Sequence, residues 1–373
     1  MKVLQIIYES IGSPFGFGGA GIRCYEIYRR LKDRHDITLL CMRYPGAEDG
    51  EIEGLQHLFV GTESRSLSRS VLAYTFRAAD FVRRHGDEFD IIVENFLPAT
   101  PFFARFFTKT PVVLQVQGIM ERHAFKKFSP FYFVPMYLVE MFYPRLYDRL
   151  IFVSDVTREK VTAVRRGKTA ASLVIPNGID TELLRTQPAD GDYILFLSRI
   201  DIYTKGLDLL IDAFQLISPD FPNLRLILAG YEFDKFPRLV ADKPHSLREK
   251  IEFAGFVTGD EKLRLLSEAR IFVLPSRHES SPISILEAAA CGKALVVSDI
   301  PELSFVSREG FGVSFPTGSA EGLAEMIRIL LTNREQRESY GRRGREYASQ
   351  FLWDNIAIQF EGILGDTVAG GVD

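Results

Sequence analysis

Cysteine is scarce in this chain. Cys24, Cys41 and Cys291 are the three present among 373 residues, and no two stand at the spacing of a metal or redox pair. That excludes a disulfide scaffold and a CxxC zinc or thiol site, and it leaves buried thiols in a reducing compartment as the expected state. Long hydrophobic runs are also missing. No stretch reaches the ~18 apolar residues that a membrane-spanning helix needs. The apolar start after Lys2 is cut at Glu9, before a secretory core could form. A cytoplasmic protein is expected, free or lying on a membrane surface. Charge of one sign is not in excess: 45 Lys and Arg stand against 49 Asp and Glu, which is not the basic footprint of a nucleic-acid binder. Trp353 is the single tryptophan and reads as a packing anchor.

What the chain does have is an ordinary globular balance, 46% hydrophobic and 25% charged, at a length that favours two domains. Short, continuous apolar runs alternate with amphipathic segments. Val3–Tyr8, Ile37–Cys41, Ile91–Val93, Val112–Val116, Leu150–Val153 and Leu173–Ile175 read as strands buried on both faces, as a parallel sheet covered by helices requires. Helical periodicity over Ile22–Lys32 and Val71–Arg84 completes a βαβ rhythm. Pro176-Asn177-Gly178 and Pro188-Ala189-Asp190-Gly191-Asp192 interrupt it. A second series follows: Tyr193–Leu197, Leu224–Ala229, Ile251–Phe253, Ile271–Leu274 and Leu295–Val297. The expected architecture is two doubly wound α/β domains, residues 1–175 and 176–351, with ligands taken beyond the carboxyl ends of the strands in a cleft between them.

Four motifs could carry chemistry. Gly16-Phe17-Gly18-Gly19-Ala20-Gly21 matches GxGxxG, but it starts about seven residues beyond the first strand, and Met42-Arg43 stand where a ribose-binding acid is needed. That argues against a nicotinamide site. The loop still offers bare amides and a helix N-terminus to an anion or a sugar. Asp190-Gly191-Asp192 precedes its strand instead of following it, so it reads as a linker turn and not as a metal pair. Ile271–Asp299 is the most specific block: a strand, a loop carrying Glu279, Ser280 and Ser281, and a helix from Ile283 carrying Glu287. Ser281 is expected to cap that helix, with Pro282 as its first residue. Its two carboxylates suit sugar hydroxyls and its turn amides suit phosphate. Arg199 and Lys205-Gly206 lie at the end of the first strand of the second half and the start of the next helix. Two cations there can neutralise a diphosphate leaving group with no obligatory metal.

Taken together, these residues resemble the retaining glycosyltransferases of family four, which have the GT-B fold of two facing Rossmann-like domains. The resemblance rests on Gly18-Gly19, Ser154-Asp155, Pro176-Asn177-Gly178-Ile179-Asp180, Ser198-Arg199 with Lys205-Gly206, and Glu279 through Glu287 with Ala288-Ala289-Ala290-Cys291-Gly292. The segment around Trp353 is similar to the family's C-terminal helix, which implies that residues 352–373 cross back to the first domain. The resemblance implies that Arg199 and Lys205 bind the donor diphosphate, that Glu279 contacts the transferred sugar, and that Glu287 accepts from the ribose. It implies sugar and phosphate contacts from the amides at Ser280, Ser281 and Ile283, and a base near Gly255-Phe256-Val257. Asn177 belongs with the donor-binding set. Gly18 and Gly19 would close over the donor beside the acceptor. Two departures stand out. Gln117-Gly118 replaces the family's usual histidine, and His123, six residues on, is the candidate substitute. Ser280-Ser281-Pro282 replaces a glycine-rich turn.

Residues 105–168 hold twelve Lys and Arg against five Asp and Glu, interleaved with the aromatic stretch Phe125–Tyr143. That pattern suits an anionic membrane or, equally, a core helix with a solvated basic edge. The expected activity is metal-independent, retaining transfer of a hexose-type sugar from a nucleotide diphosphate sugar to a glycan or lipid-linked acceptor in cell-envelope polysaccharide synthesis, with no cofactor and no nucleic-acid partner. The alternatives are an NAD(P)-dependent oxidoreductase and a sugar-nucleotide-binding protein without transferase activity.

Overall fold

The structure is a computed structural model and describes residues 1–119, 130–164, 171–231 and 236–370. It divides into two compact units: Met1–Asn177 with Trp353–Asp373, and Gly178–Leu352.

The first unit is built on an eight-stranded sheet in the order β3-β4-β2-β1-β5-β6-β7-β8. Its strands are β1 (Lys2–Ile6), β2 (Asp36–Met42), β3 (Gly50–Ile52), β4 (Leu55–Val60), β5 (Ile91–Phe96), β6 (Val112–Val116), β7 (Arg149–Phe152) and β8 (Ala171–Val174). All neighbours pair in parallel except β3 with β4. The expected strands are there, whereas β3 and β4 were not foreseen. Leu55–Val60 alternates buried and more open positions, as a strand near a sheet edge does, and therefore lacks the continuous apolar run of its neighbours.

Helices α1 (Gly19–Leu31), α2 (Leu67–His85) and α3 (Pro130–Phe142) belong to this unit. The step from β1 to β2 runs one way across the sheet, while β4 to β5, β5 to β6 and β6 to β7 run the other. Right-handed crossovers therefore place α1 on one face and α2 and α3 on the opposite face. On that opposite face, Leu4, Ile6, Leu40, Met42 and Ile92 pack under Tyr74, Ala78 and Val82 of α2.

The second unit carries a six-stranded, wholly parallel sheet in the order β11-β10-β9-β12-β13-β14. Its strands are β9 (Tyr193–Leu197), β10 (Arg225–Ala229), β11 (Ile251–Gly255), β12 (Ile271–Leu274), β13 (Leu295–Ser298) and β14 (Gly312–Phe315). β14 escaped the sequence reading because Gly312 and Ser314 dilute its apolar pattern at the sheet edge. Helices α4 (Leu207–Ile217), α5 (Gly259–Glu268) and α6 (Ile283–Ala290) frame the functional end. The last helix, α7 (Trp353–Ala369), groups with the first unit. Phe360 packs edge-on against Tyr28 of α1 at 5.8 Å, and Asp354 accepts from Arg30 at 2.5 Å. Trp353 is buried, as a packing anchor should be. No described helix is long and apolar enough to cross a membrane.

Candidate functional site

In the second unit, the parallel strands deliver their carboxyl ends to one edge of the sheet, where ligands of such sheets bind. Two loops meet there, one after β9 and one after β12, which pair directly. Gly206 makes the meeting close. It adopts φ +67°, and a Cβ at this position would stand 2.0 Å from the Pro275 carbonyl oxygen, so only glycine fits. The loops are then joined by Arg277, whose amide donates to the Thr204 carbonyl at 2.8 Å and whose guanidinium grips Asp208 twice at 2.7 Å. That junction sets Lys205 Nζ 2.7 Å from Glu279 Oε1, and the Ser276 hydroxyl donates to the same oxygen at 2.7 Å. Arg199, more exposed, lies 3.3 Å from Asp201, whose other oxygen accepts from the Thr204 amide.

Glu287 sits in the second turn of α6 and is nearly buried, with Oε1 2.8 Å from Lys262 Nζ of α5. At the end of β11, Gly255 takes φ +75° with open space around it. Phe256 is 55% exposed and meets Tyr231 edge-on at 6.1 Å. An exposed ring backed by a half-buried one at the carboxyl edge of a sheet is suited to carry a planar ring.

The first unit holds a separate cluster at the start of α1. Glu9 Oε2 accepts from the Gly18 amide at 2.8 Å and the Gly21 amide at 2.7 Å. The glycine loop is therefore not a set of bare amides, contrary to the sequence-based expectation: an internal carboxylate already fills much of the anion position that the helix N-terminus creates. Gly21 is required for this clamp, because a Cβ there would stand 2.7 Å from Glu9 Oε2 and 2.5 Å from the Phe17 ring. Gln117, at the end of β6, donates from Nε2 to Asn95 Oδ1 at 2.9 Å and to the Ala20 carbonyl at 3.5 Å. That leaves the Gln117 carbonyl oxygen as the acceptor it can present. Asn177 is buried and accepts from Arg23 Nη1 at 3.1 Å, while Pro176 O accepts from the same nitrogen at 2.7 Å. Arg23 is itself fully buried, and burial pulls it down to about 9.

A Glycosyltransferase Family 4 model matches residues 17–183, and a Glycosyl transferases group 1 model matches residues 185–347. The chain is a family four glycosyltransferase. An uncharacterized glycosyltransferase of Methanocaldococcus jannaschii is 25% identical over 96% of this chain and 97% of its own. A phosphatidyl-myo-inositol mannosyltransferase of Mycobacterium leprae is 31% identical over 52% of this chain and 53% of its own length. Among solved structures, Anabaena HepE in complex with UDP and glucose has a TM-score of 0.78 at 20% identity, covering 98% of this chain and 100% of the other. The GT-B fold class follows.

Within this family four chain, the residues expected to hold the donor divide as follows. Lys205 and Glu279 are brought into contact, and Arg199 lies in the same loop as Lys205. Glu287, Phe256 and Val257 stand at the same edge of the same sheet. Gly18, Gly19, Gln117 and Asn177 belong to the first unit. Ser280 and Ser281 lie in the loop before α6, and the Ile283 side chain is buried, so Ile283 can offer only its backbone. Ser281 is not the cap of α6. Pro282 occupies the cap position without a side-chain hydrogen bond, because its φ of −71° and ψ of 116° keep it extended just outside the first turn. His123 lies outside the described residues. Asp190 pairs with Arg337 at 2.5 Å and Asp192 with Arg225 at 2.9 Å, so both acids of the DxD are engaged as the turn reading expects. They line a cavity of about 380 Å³ at the amino ends of β9 and β10, opposite the candidate site.

Sequence reasoning missed Lys262, Glu9, Asn95 and Tyr231. Glu9 had a legible signal, an acid at the end of the first strand just ahead of a glycine loop. Lys262 and Tyr231 had none, since each is tied to the site only by the packing of neighbouring elements.

Proposed function

We propose that this protein transfers a hexose-type sugar from a nucleoside diphosphate sugar to a lipid-linked or nascent glycan acceptor, with retention at the anomeric carbon and without a metal. Its place would be the synthesis of cell-envelope polysaccharide at the inner face of the membrane. The observation that carries this reading is the Lys205–Glu279 contact at 2.7 Å, with Arg199 in the same loop as Lys205, at the carboxyl edge of a parallel sheet.

A lysine held against a carboxylate is a fixed donor, already oriented before a ligand arrives. Charge develops on the leaving diphosphate as the glycosidic bond breaks, and Lys205 and Arg199 are the cations that would hold it. Glu279 then has two tasks, orienting Lys205 and accepting from hydroxyls of the sugar. Glu287, oriented by Lys262, is suited to accept from the ribose, and Phe256 with Tyr231 to carry the base. Among the described residues, no carboxylate is placed as an obvious covalent nucleophile. The reading is therefore a same-face substitution in which the diphosphate takes the acceptor proton. Gln117 can position an acceptor hydroxyl but carries no proton at neutral pH. The Glu9 clamp on the glycine loop weighs against the NAD(P) alternative, because a pyrophosphate would meet a carboxylate there.

The relatives guide the choice of substrates. The phosphatidyl-myo-inositol mannosyltransferase has a lipid in its name, and the HepE complex contains UDP and glucose. A thermal-shift panel of UDP-, GDP- and ADP-sugars tests the reading, since a ligand bound only by the folded state raises its apparent stability. One nucleotide class should raise the melting temperature of the parent. Lys205→Ala should lose most of that shift and at least about 100-fold in turnover, in line with removal of one preorganised electrostatic contact, while melting normally without ligand. Silence across the panel, or full turnover in Lys205→Ala, overturns the proposal.

A further inference from the structure

One face of the first unit's sheet carries helices whose outer sides are unusual. On α2, the inner positions Tyr74, Ala78 and Val82 are buried, as a core-facing stripe should be. The outer side does not turn polar in return. Leu72 is 61% and Phe76 69% exposed, four residues apart and so on one stripe of the helix. Arg65, Arg69 and Arg77 are exposed around them, with no ion pair among the described residues.

The segment between β5 and β6 lies next to α2, where Phe102 meets Tyr74 edge-on at 5.2 Å. Its following residue, Phe103, sits at φ +56°, a left-handed conformation that is costly for a bulky side chain. The strain is held from beneath. The Phe103 amide donates to the Tyr143 hydroxyl at 2.6 Å, and Tyr143 and Tyr147 both donate to Glu94, a carboxyl buried on this face of the sheet between Ile92 and Phe96. The product of that strain is an aromatic tip: Phe103, Phe106 and Phe107 are all exposed. Helix α3 adds Val134, Leu138 and Phe142, exposed at four-residue spacing. Arg105 and Arg145 stand over the rings of Phe106 and Phe142 at 5.6 and 4.9 Å.

Exposed apolar residues scattered singly need no explanation. Here three consecutive crossovers present them on one face, and the cations lie among them. We propose that this face, with the outer side of α2 and the Phe103–Phe107 tip at its centre, docks on an anionic lipid bilayer. Aromatic rings and leucines enter the interface while the arginines meet lipid phosphates. Charge selects this occupant over a second copy of the chain, because a two-fold pairing would set Arg65, Arg69 and Arg77 against themselves. The inference extends the membrane part of the proposed function. Its test uses no sugar substrate, so docking and glycosyl transfer can fail separately.

The test is co-sedimentation of the full chain with vesicles of phosphatidylcholine alone and of phosphatidylcholine with phosphatidylglycerol, at low and high salt. Binding should require phosphatidylglycerol and weaken with salt. Replacing Arg65, Arg69 and Arg77 by glutamate should lower the partition constant by at least roughly fivefold per position. Leu72→Ser with Phe76→Ser should weaken binding at both salt concentrations. These positions are solvent-exposed, so both variants should melt with the parent and keep its nucleotide-sugar thermal shift. Failure to bind phosphatidylglycerol vesicles, or binding that is indifferent to both variants, overturns the assignment. A dimer in sedimentation equilibrium that dissociates on Leu72→Ser with Phe76→Ser also overturns it, and makes the face a contact between copies.

Discussion

Glu94 shows how much a single buried side chain can decide. It stands between Ile92 and Phe96 on an apolar sheet face, fully buried, and takes hydrogen bonds from Tyr143 and Tyr147. Desolvation raises its carboxyl from 4.5 to about 7, outweighing the opposing pull of the two tyrosines. A carboxyl raised in the folded state binds more protons there than in the unfolded chain. Its contribution to stability is therefore complete below pH 4.5 and is lost as pH rises through 7. At about 1.4 kcal/mol per pH unit in that window, the loss is about 3 kcal/mol. Glu94→Gln keeps the volume and removes the titration. Denaturant unfolding between pH 5 and 8 should show the variant gaining stability relative to the parent as pH rises. A difference independent of pH would mean that Glu94 is ionised in the folded protein across the whole range, as it is in the unfolded chain.

At the scale of elements, the candidate site depends on two loops being held closer than side-chain-bearing residues allow. Gly206 is the contact point, with both a left-handed φ and a backbone oxygen where its Cβ would be. Gly318 has the same kind of φ, +93°, but open space around it, so it isolates the conformational cost. Gly318→Ala should cost about 1 kcal/mol, whereas Gly206→Ala should cost at least about 2 kcal/mol and also displace Lys205 from Glu279. The site-specific readout is the nucleotide-sugar thermal shift, which Gly206→Ala should reduce and Gly318→Ala should leave intact. Equal losses of stability in the two variants would show that the loops can part without strain.

On the scale of the whole molecule, the chain returns to its first unit at the end. Helix α7 covers α1 through Tyr28 and Phe360, with Arg34 and His35 reaching Glu361 at 2.7 and 2.6 Å. Phe360 is 1% exposed, so Phe360→Ala should remove about 3–5 kcal/mol from the first unit. The donor-binding residues expected in Gly178–Leu352 have a separate core. Calorimetry should therefore show one transition falling while the nucleotide-dependent one stays. A uniform fall in both would mean that the two units melt as one.

What the sequence determined alone is what local pattern encodes. Continuous apolar runs fixed the parallel strands and the two α/β series, and residue types at strand ends located Arg199, Lys205, Glu279 and Glu287. Alternating or diluted strands at or next to the sheet edges, β3, β4 and β14, were hidden because they lack that run. Only tertiary structure decided the partners. Lys205 takes Glu279, Glu287 takes Lys262, and Glu9, read as nothing more than the end of an apolar run, turns back onto the amides of Gly18 and Gly21. The reason is physical: periodicity reports which face of an element is buried, whereas an ion pair or a clamped amide depends on distances between elements far apart in the chain, and those are set by packing.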